Sequence, residues 1–205
     1  MNIISLTHKH AHAYIIGGRG THIMFDAGWP SSFPTFKNIM RDNGLSPCSI
    51  RYLIISHFHP DHAGIAQIMK EHGTTLLLHE CQNEAVNQIN GFFVKHPDNA
   101  YRPLAPDGNR VVNSAESREL LREIGLCGEI IHTPGHSEDS VSFMLDGECA
   151  FIGDLPSLEN AGGLNNPTIS KSWRKITGYR IKTVYPAHGL SYSIGQRGLY
   201  NLMVT

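Results

Sequence analysis

The sequence carries no surplus of either charge: 17 basic residues stand against 18 acidic ones in 205, a net charge of −1, and no basic block occurs. The electrostatic footprint that a phosphate backbone or an anionic membrane requires is therefore missing, and a small-molecule substrate is expected instead of nucleic acid or membrane. Long apolar runs are absent too: nowhere are there ~18 consecutive apolar residues. The start MNIISLTHKH lacks the basic opening, apolar stretch and small-residue cleavage site of a signal peptide. A soluble, cytoplasmic protein is expected. Cysteine is scarce, and Cys48, Cys81, Cys127 and Cys149 lie far apart with no CxxC pair. They read as free thiols in a reducing compartment, not as a disulfide frame or a zinc knuckle. No repeat, linker or low-complexity segment divides the chain, and 40% apolar content supports a core. A single domain over residues 1–205 follows as the expectation. Oligomeric state has no signal in the sequence.

Histidine is what the chain has in quantity, 13 in all, and its placement is uneven. In SHFHPDHAG, the potential ligands His57, His59, Asp61 and His62 fall within six residues, directly after the apolar run Tyr52 to Ile55. Imidazole binds zinc, iron or copper well, and an adjacent carboxylate suits a borderline cation, so this loop points to zinc or iron. His57 and His59 alternate along one extended segment and can point the same way, whereas Asp61 and His62 must turn toward a neighbouring position.

Periodicity and turn residues supply the framework. Ala13 to Gly17 and His22 to Asp26 read as strands across the turn Gly17-Gly18-Arg19-Gly20, and Phe33 to Asn43 as a helix closed by Gly44. Arg51 to Ser56 is a buried strand, Gly64 to Glu71 a helix, and Thr74 to Leu78 another strand. Helices are expected over Glu80 to Ile89 and Ala115 to Ile124, with Phe92 to Val112 unassigned between them. Strands Glu129 to His132, Val141 to Leu145 and Cys149 to Ile152 follow, the last two joined at the hairpin signal Asp146-Gly147. Lys171 to Thr177 reads as a helix and Thr183 to Tyr185 as a strand. This alternation defines an α/β layered domain. His136 in TPGHSEDS, Asp154 in GD and His188 in YPAHG each follow a strand, so a rigid sheet can project seven ligands from four loops toward one edge.

HFHPDH, together with His136, Asp154 and His188, resembles the metallo-β-lactamase fold superfamily, and MFDAG around Asp26 resembles its second-strand signature. The resemblance spans most of the chain, from Asp26 to His188. It implies an αββα sandwich with a dinuclear metal site at one edge of the two sheets. It implies two Zn2+ ions per chain, with His57, His59 and His136 on the first, Asp61, His62 and His188 on the second, and Asp154 bridging them. Metals so held lower the pKa of bound water from about 15.7 toward 7, which provides a bridging hydroxide as nucleophile. Asp61 is the candidate catalytic residue, orienting that hydroxide and shuttling its proton. No dedicated general acid is evident, which favours a weakly basic leaving group such as a thiolate. The expected activity is hydrolysis of a small acyl substrate: a thioester, ester or lactone.

Departures from particular members narrow this. Asp154 and the absent signal peptide speak against antibiotic hydrolysis. Only 17 residues follow His188, so glutathione specificity of the glyoxalase II type, which uses a C-terminal helical domain, is not expected, and GDLPSLEN lacks the tyrosine that lactonases carry beyond the bridging aspartate. His59 stands where flavodiiron proteins have glutamate. Two other classes compete: a mononuclear iron persulfide dioxygenase, using His57, His136 and Asp154, and a non-catalytic metal-binding sensor module.

Other residues carry plainer readings. His8, His10 and His12 alternate as one polar face of an extended segment, with His12 close to the mouth of the site. His22, His72, His79, His96 and His132 read as surface or satisfied core histidines. Asp26 is expected to hydrogen-bond a ligand histidine, and Ser137, Glu138 and Asp139 to cap a turn. Gln82 to Tyr101, with Phe92 and Phe93, is a candidate lid or pocket wall unless those rings pack in the core; Trp29 and Phe33 are the alternative walls. An apolar pocket, suited to an acyl chain, is expected.

Overall fold

The structure is a computed structural model that describes residues 2–18, 20–157 and 166–194. Its first sheet opens as an antiparallel meander of β1 (Ile3–His8), β2 (Ala11–Gly17) and β3 (His22–Phe25). It continues in parallel through β4 (Ile50–Ile54), β5 (Thr75–His79) and β6 (Arg110–Val112). The second sheet holds β7 (Gly128–His132), β8 (Val141–Leu145), β9 (Cys149–Gly153), β10 (Thr183–Pro186) and β11 (Tyr192–Ser193), in the order β11-β10-β9-β8-β7. Helices α1 (Phe33–Asp42), α2 (Pro60–Ala63), α3 (Ala66–Glu71) and α4 (Ala85–Lys95) lie in the connections of the first sheet. Helix α5 (Ser114–Glu123) precedes β7, and α6 (Pro167–Gly178) is the crossover between the parallel strands β9 and β10.

Side-chain alternation along the strands builds the layers, because successive residues face opposite sides of a sheet. Met24, Leu53 and Leu76 point outward to a core with Phe36 and Met40 of α1, Met69 of α3, and Ile89 and Phe93 of α4. Their neighbours Ile23, Phe25, Tyr52, Ile54 and Leu77 point inward, against Phe143 and Phe151 of the second sheet and Leu120 and Leu121 of α5. On the far side, Met144, Ala150 and Ile152 meet Ile169, Trp173 and Ile176 of α6. The layer order is helices, sheet, sheet, helix: an αββα sandwich, as the resemblance implied.

Local chemistry accounts for where expected and observed elements differ. The helix expected over Gly64 to Glu71 is α3, which starts at Ala66, and a separate short helix, α2, precedes it; Pro60 opens α2, its missing N–H being no loss at a first helical position. Gly64 then lets the chain pass close to the loop before α1, since a Cβ there would meet Trp29 C and Pro30 N at 2.3 Å. The helix expected from Glu80 begins instead as a short 3-10 turn, Glu80–Gln82, and α4 runs on to Lys95 past Asn90-Gly91. Strand β1 had no counterpart in the sequence reading, and β6 lies in the stretch left unassigned. The tail beyond residue 194 and most of SLEN lie outside the described residues.

All four cysteines are free, Cys48 and Cys127 exposed and Cys149 buried. Burial pushes the Cys149 thiol up to about 12, so it behaves as an apolar core residue.

Between the sheets Phe151 is the hub of an aromatic cluster. Its ring centroid lies 5.0 Å from Tyr185, 5.2 Å from Tyr14 and 5.8 Å from both Phe25 and Phe143. Such contacts add to the burial of the ring itself. Phe151→Ala is expected to lower the unfolding free energy by about 3–5 kcal/mol in denaturant titrations; a loss below about 1 kcal/mol would mean the two sheets do not pack through this ring.

Candidate metal centre

Parallel strands release their chains at their carboxyl ends, and here β4, β9 and β10 all end at the same edge of the sandwich. His57, His59, Asp61 and His62 follow β4, Asp154 follows β9 and His188 follows β10, while His136 sits in the loop between β7 and β8. All seven side chains meet there.

The donor atoms fall into three overlapping groups, within each of which they lie no more than 4.8 Å apart: His57, His59 and His136; His57, His62 and Asp154; Asp61, His62 and His188. His59 Nδ1 is 3.0 Å from His57 Nε2 and 3.2 Å from His136 Nε2. On the other side, Asp61 Oδ2 is 3.2 Å from His188 Nε2 and 3.5 Å from His62 Nε2. Asp154 lies between the two sides: Oδ2 is 3.4 Å from His62 Nε2 and 3.7 Å from His136 Nε2, and Oδ1 is 3.5 Å from His188 Nε2. Ligands ~2.0–2.1 Å from a tetrahedral zinc stand ~3.3 Å from one another, so these separations fit a shared cation. His62 Nε2 and Asp154 Oδ1 are buried without a hydrogen-bond partner, the condition expected of atoms reserved for a metal.

Electrostatics agrees with geometry. Burial drives the His57 imidazole far below its ordinary range, and the nearby His62, His59 and His136 push it the same way, so His57 presents a neutral ring. Burial acts on His62 too, yet the carboxylates of Asp26, Asp154 and Asp61 overcome it and hold its imidazole well above the usual value. Burial opposes ionisation of Asp61, but the hydrogen-bonded His188 ring and the nearby His62 ring outweigh it and keep the carboxyl ionised. A field that favours an imidazolium at this spot favours a metal cation by the same sign.

The frame around the donors is specific. At the end of β9, Gly153 has φ 56°, and a Cβ would meet Ser56 Cβ and Oγ at 2.5 Å. Only glycine lets the β9 turn press against the β4 loop, which is what puts Asp154 beside His57 and His62. Asp26, wholly buried, accepts hydrogen bonds from Ser56 N at 2.7 Å, Ser56 Oγ at 3.0 Å and His62 Nδ1 at 3.0 Å. With its Nδ1–H committed there, His62 is left with Nε2 toward the cluster, as expected for a carboxylate orienting a ligand.

Two residues exceed what the sequence suggested. Asp139 does more than cap its turn: besides accepting from Ser137 Oγ at 2.6 Å, its other oxygen accepts from Phe58 N at 2.8 Å, between His57 and His59. Gln82 donates to Ile55 O at 2.9 Å and Asp139 O at 3.0 Å, tying the His136 loop to the end of β4. Neither carries a local motif; Gln82 closes a short turn that read as ordinary helix.

A cavity of about 400 Å³ opens over His136, Asp154 and His188, bordered by Ile152, Leu155, Pro186, Leu190 and Tyr192. Among the described residues no lysine or arginine lines it. The wall candidates Phe92, Phe93, Trp29 and Phe33 are not among its lining residues. Phe93 packs in the outer core and stacks on Tyr101 at 3.7 Å, so the packing reading holds for that ring and the lid reading does not. The wall comes instead from β9, β10 and the segment leading into β11.

Comparison with known proteins bears on the same features. The family description "Metallo-beta-lactamase superfamily" matches residues 6–188, and the chain belongs to that superfamily. Beta-lactamase-like protein 2 homolog of Drosophila melanogaster is 23% identical over 92% of this chain and 61% of its own length. An atrochrysone carboxyl ACP thioesterase of Aspergillus fumigatus is 23% identical over 86% of this chain and 37% of its own. The chain thus spans about a third to three fifths of the length of these relatives. A crystal structure of a metallo-beta-lactamase family protein from Thermus thermophilus superposes with a TM-score of 0.73, covering 99% of this chain and 78% of that one at 15% identity. At that identity the likeness concerns the fold.

The tie between Asp139 and Phe58 N yields a direct check. Asp139→Ala leaves that N–H without its carboxylate acceptor and is expected to cost about 1–3 kcal/mol of stability, whereas Asp139→Asn, which keeps an acceptor oxygen, costs clearly less. Equal losses in the two variants, measured by urea unfolding, would contradict the tie.

Proposed function

We propose that this chain is a metal-dependent hydrolase that holds two zinc ions and cleaves a small acyl substrate, a thioester before an ester or lactone. The observation that carries this reading is the position of Asp154. Its carboxylate reaches both donor sets: Oδ2 lies near His57 and His136 of one and His62 of the other, and Oδ1 near His188. A carboxylate so placed serves two neighbouring cations better than one. His57, His59 and His136 would hold the first ion, Asp61, His62 and His188 the second, with Asp154 shared. When bound, such ions supply Lewis acidity toward a carbonyl and a hydroxide nucleophile near neutral pH.

The chain's own groups do the rest. Asp61, kept ionised by His188 and His62, is placed to orient the attacking water and take its proton. Asp26 holds His62 in the required tautomer. The apolar rim of Ile152, Leu155, Pro186 and Leu190 offers room for an acyl group. Thioester preference draws on relatives named as thioesterases. Four free thiols suit a reducing, cytoplasmic setting, and no helix among the described residues is long and apolar enough to cross a membrane. The superfamily match over residues 6–188 supports treating 1–205 as one domain.

Elemental analysis of zinc-reconstituted protein, paired with a panel of acyl thioesters, esters and lactones, tests the proposal. About two zinc per chain and thioester turnover that chelation removes are expected. His57→Ala should lose roughly 10²–10³ in turnover, the usual scale for deleting one stabilising group of a hydrolytic site. One iron per chain with oxygen consumption on a persulfide would replace this reading with dioxygenase chemistry. Tight zinc binding with silence on every substrate would replace it with a metal sensor.

A further inference from the structure

The histidine-rich start, HKHAH, is not used by the proposed chemistry, yet its backbone contacts the loop that carries His188. Strand β3 pairs with β2 only as far as Phe25 opposite Tyr14, and the chain then departs at Asp26 with φ 62°. That departure leaves the edge of β2 at His10 and His12 free, and the segment Pro186-Ala187-His188 occupies it. His12 N donates to Ala187 O at 2.8 Å, Tyr14 Oη donates to Pro186 O at 2.6 Å, and His188 Nδ1 donates to His10 O at 2.9 Å. On its other side, Ala187 N donates to Gly153 O at 2.9 Å, so this segment joins the two sheets beside Asp154.

The contact to His10 decides a tautomer. A carbonyl can only accept, so Nδ1 carries a proton, and Nε2 is the nitrogen turned toward Asp61 and Asp154. The carbonyl is aimed by an unusual turn. Lys9 and His10 have φ of 50° and 67°, as a two-residue turn of this hand requires, although Asn-Gly suits that geometry far better than Lys-His. Side chains hold the turn in place: His8 contacts Ser31 Oγ at 3.2 Å and Thr35 Oγ1 at 3.3 Å, and Lys9 Nζ lies 5.9 Å from the centre of the Trp29 ring.

We propose that the β1–β2 hairpin is the positioning device for His188: through the His10 carbonyl and the β2 edge, it sets the metal affinity of the Asp61, His62 and His188 half-site alone. The inference rests on the two-metal reading above. The half-site of His57, His59 and His136 is held by other contacts, through Asp139 and Gln82, and does not depend on the hairpin.

The test separates backbone from side chain at one residue. His10→Gly and His10→Val both delete the imidazole, but glycine keeps the left-handed backbone and the carbonyl direction, whereas a β-branched residue resists them. Zinc titration against a chromophoric chelator should show the second equivalent weakened about 10–100-fold in His10→Val, the usual effect of losing a partner that orients a ligand. The first equivalent should be unchanged, and His10→Gly should keep both. Tyr14→Phe, which preserves the ring and frees Pro186 O, provides an independent arm and should weaken the second equivalent without affecting the first. Wild-type protein that takes up one zinc would overturn the two-metal reading and this proposal with it. Two zinc in the wild type, with both retained in His10→Val and Tyr14→Phe, would overturn the hairpin's role alone. Equal loss in His10→Gly and His10→Val would also overturn it, by assigning the effect to the imidazole.

Discussion

Imidazole nitrogens about 3 Å apart, with carboxylate oxygens in the same shell, form the constraint on which the rest of this structure depends. His59 Nδ1 faces both His57 Nε2 and His136 Nε2 at 3.0–3.2 Å, closer than lone pairs tolerate without a proton or cation between them. Such a cluster does not assemble from local preference. It exists because four loops leave two stiff sheets at one edge, and the packing beneath them, centred on Phe151 between the sheets, leaves those loops little freedom. The energy of the sandwich is thus committed to holding donors where a metal can use them.

Each half of the cluster has its own support. Toward His57, His59 and His136, Asp139 and Gln82 tie the loop after β7 to the end of β4. Toward Asp61, His62 and His188, Asp26 orients one ring and the hairpin carbonyl of His10 another. Asp154 belongs to both, and Gly153 admits it by packing closer to Ser56 than any side chain would allow. Membership of the metallo-beta-lactamase superfamily accounts for the general plan, while these ties are read from this chain's own contacts.

How much of this was legible in the sequence follows from what kind of atom does the work. That seven side chains of ligand type come together was legible because those residue types stand out in sequence, and because their loops follow apolar strands at a sheet edge. The two-sheet layering was legible through the family resemblance and not through alternation, since β8 and β9 are buried along their whole length and present no polar face. Strand β1 was hidden because its polar tip, ending in His8, resembles surface loop more than sheet. The extent of α4 was hidden by Asn90-Gly91, which reads as a stop; yet Asn90 turns its side chain to Leu104 O and Leu104 N, organising the next loop while the helix continues. The hairpin's contribution was the least visible of all, since a backbone carbonyl at His10 has no residue signature. Its only trace was the alternation of His8, His10 and His12, which read as one polar face of an extended segment, whereas Lys9 and His10 form a turn.

Anomalous diffraction at the zinc edge from crystals of the zinc-loaded protein tests the central claim most directly. The account predicts two peaks about 3.5–4 Å apart, one among His57, His59 and His136 and the other among Asp61, His62 and His188, with Asp154 touching both. A single peak bound by His57, His136 and Asp154, with Asp61 and His188 turned away from it, would contradict it.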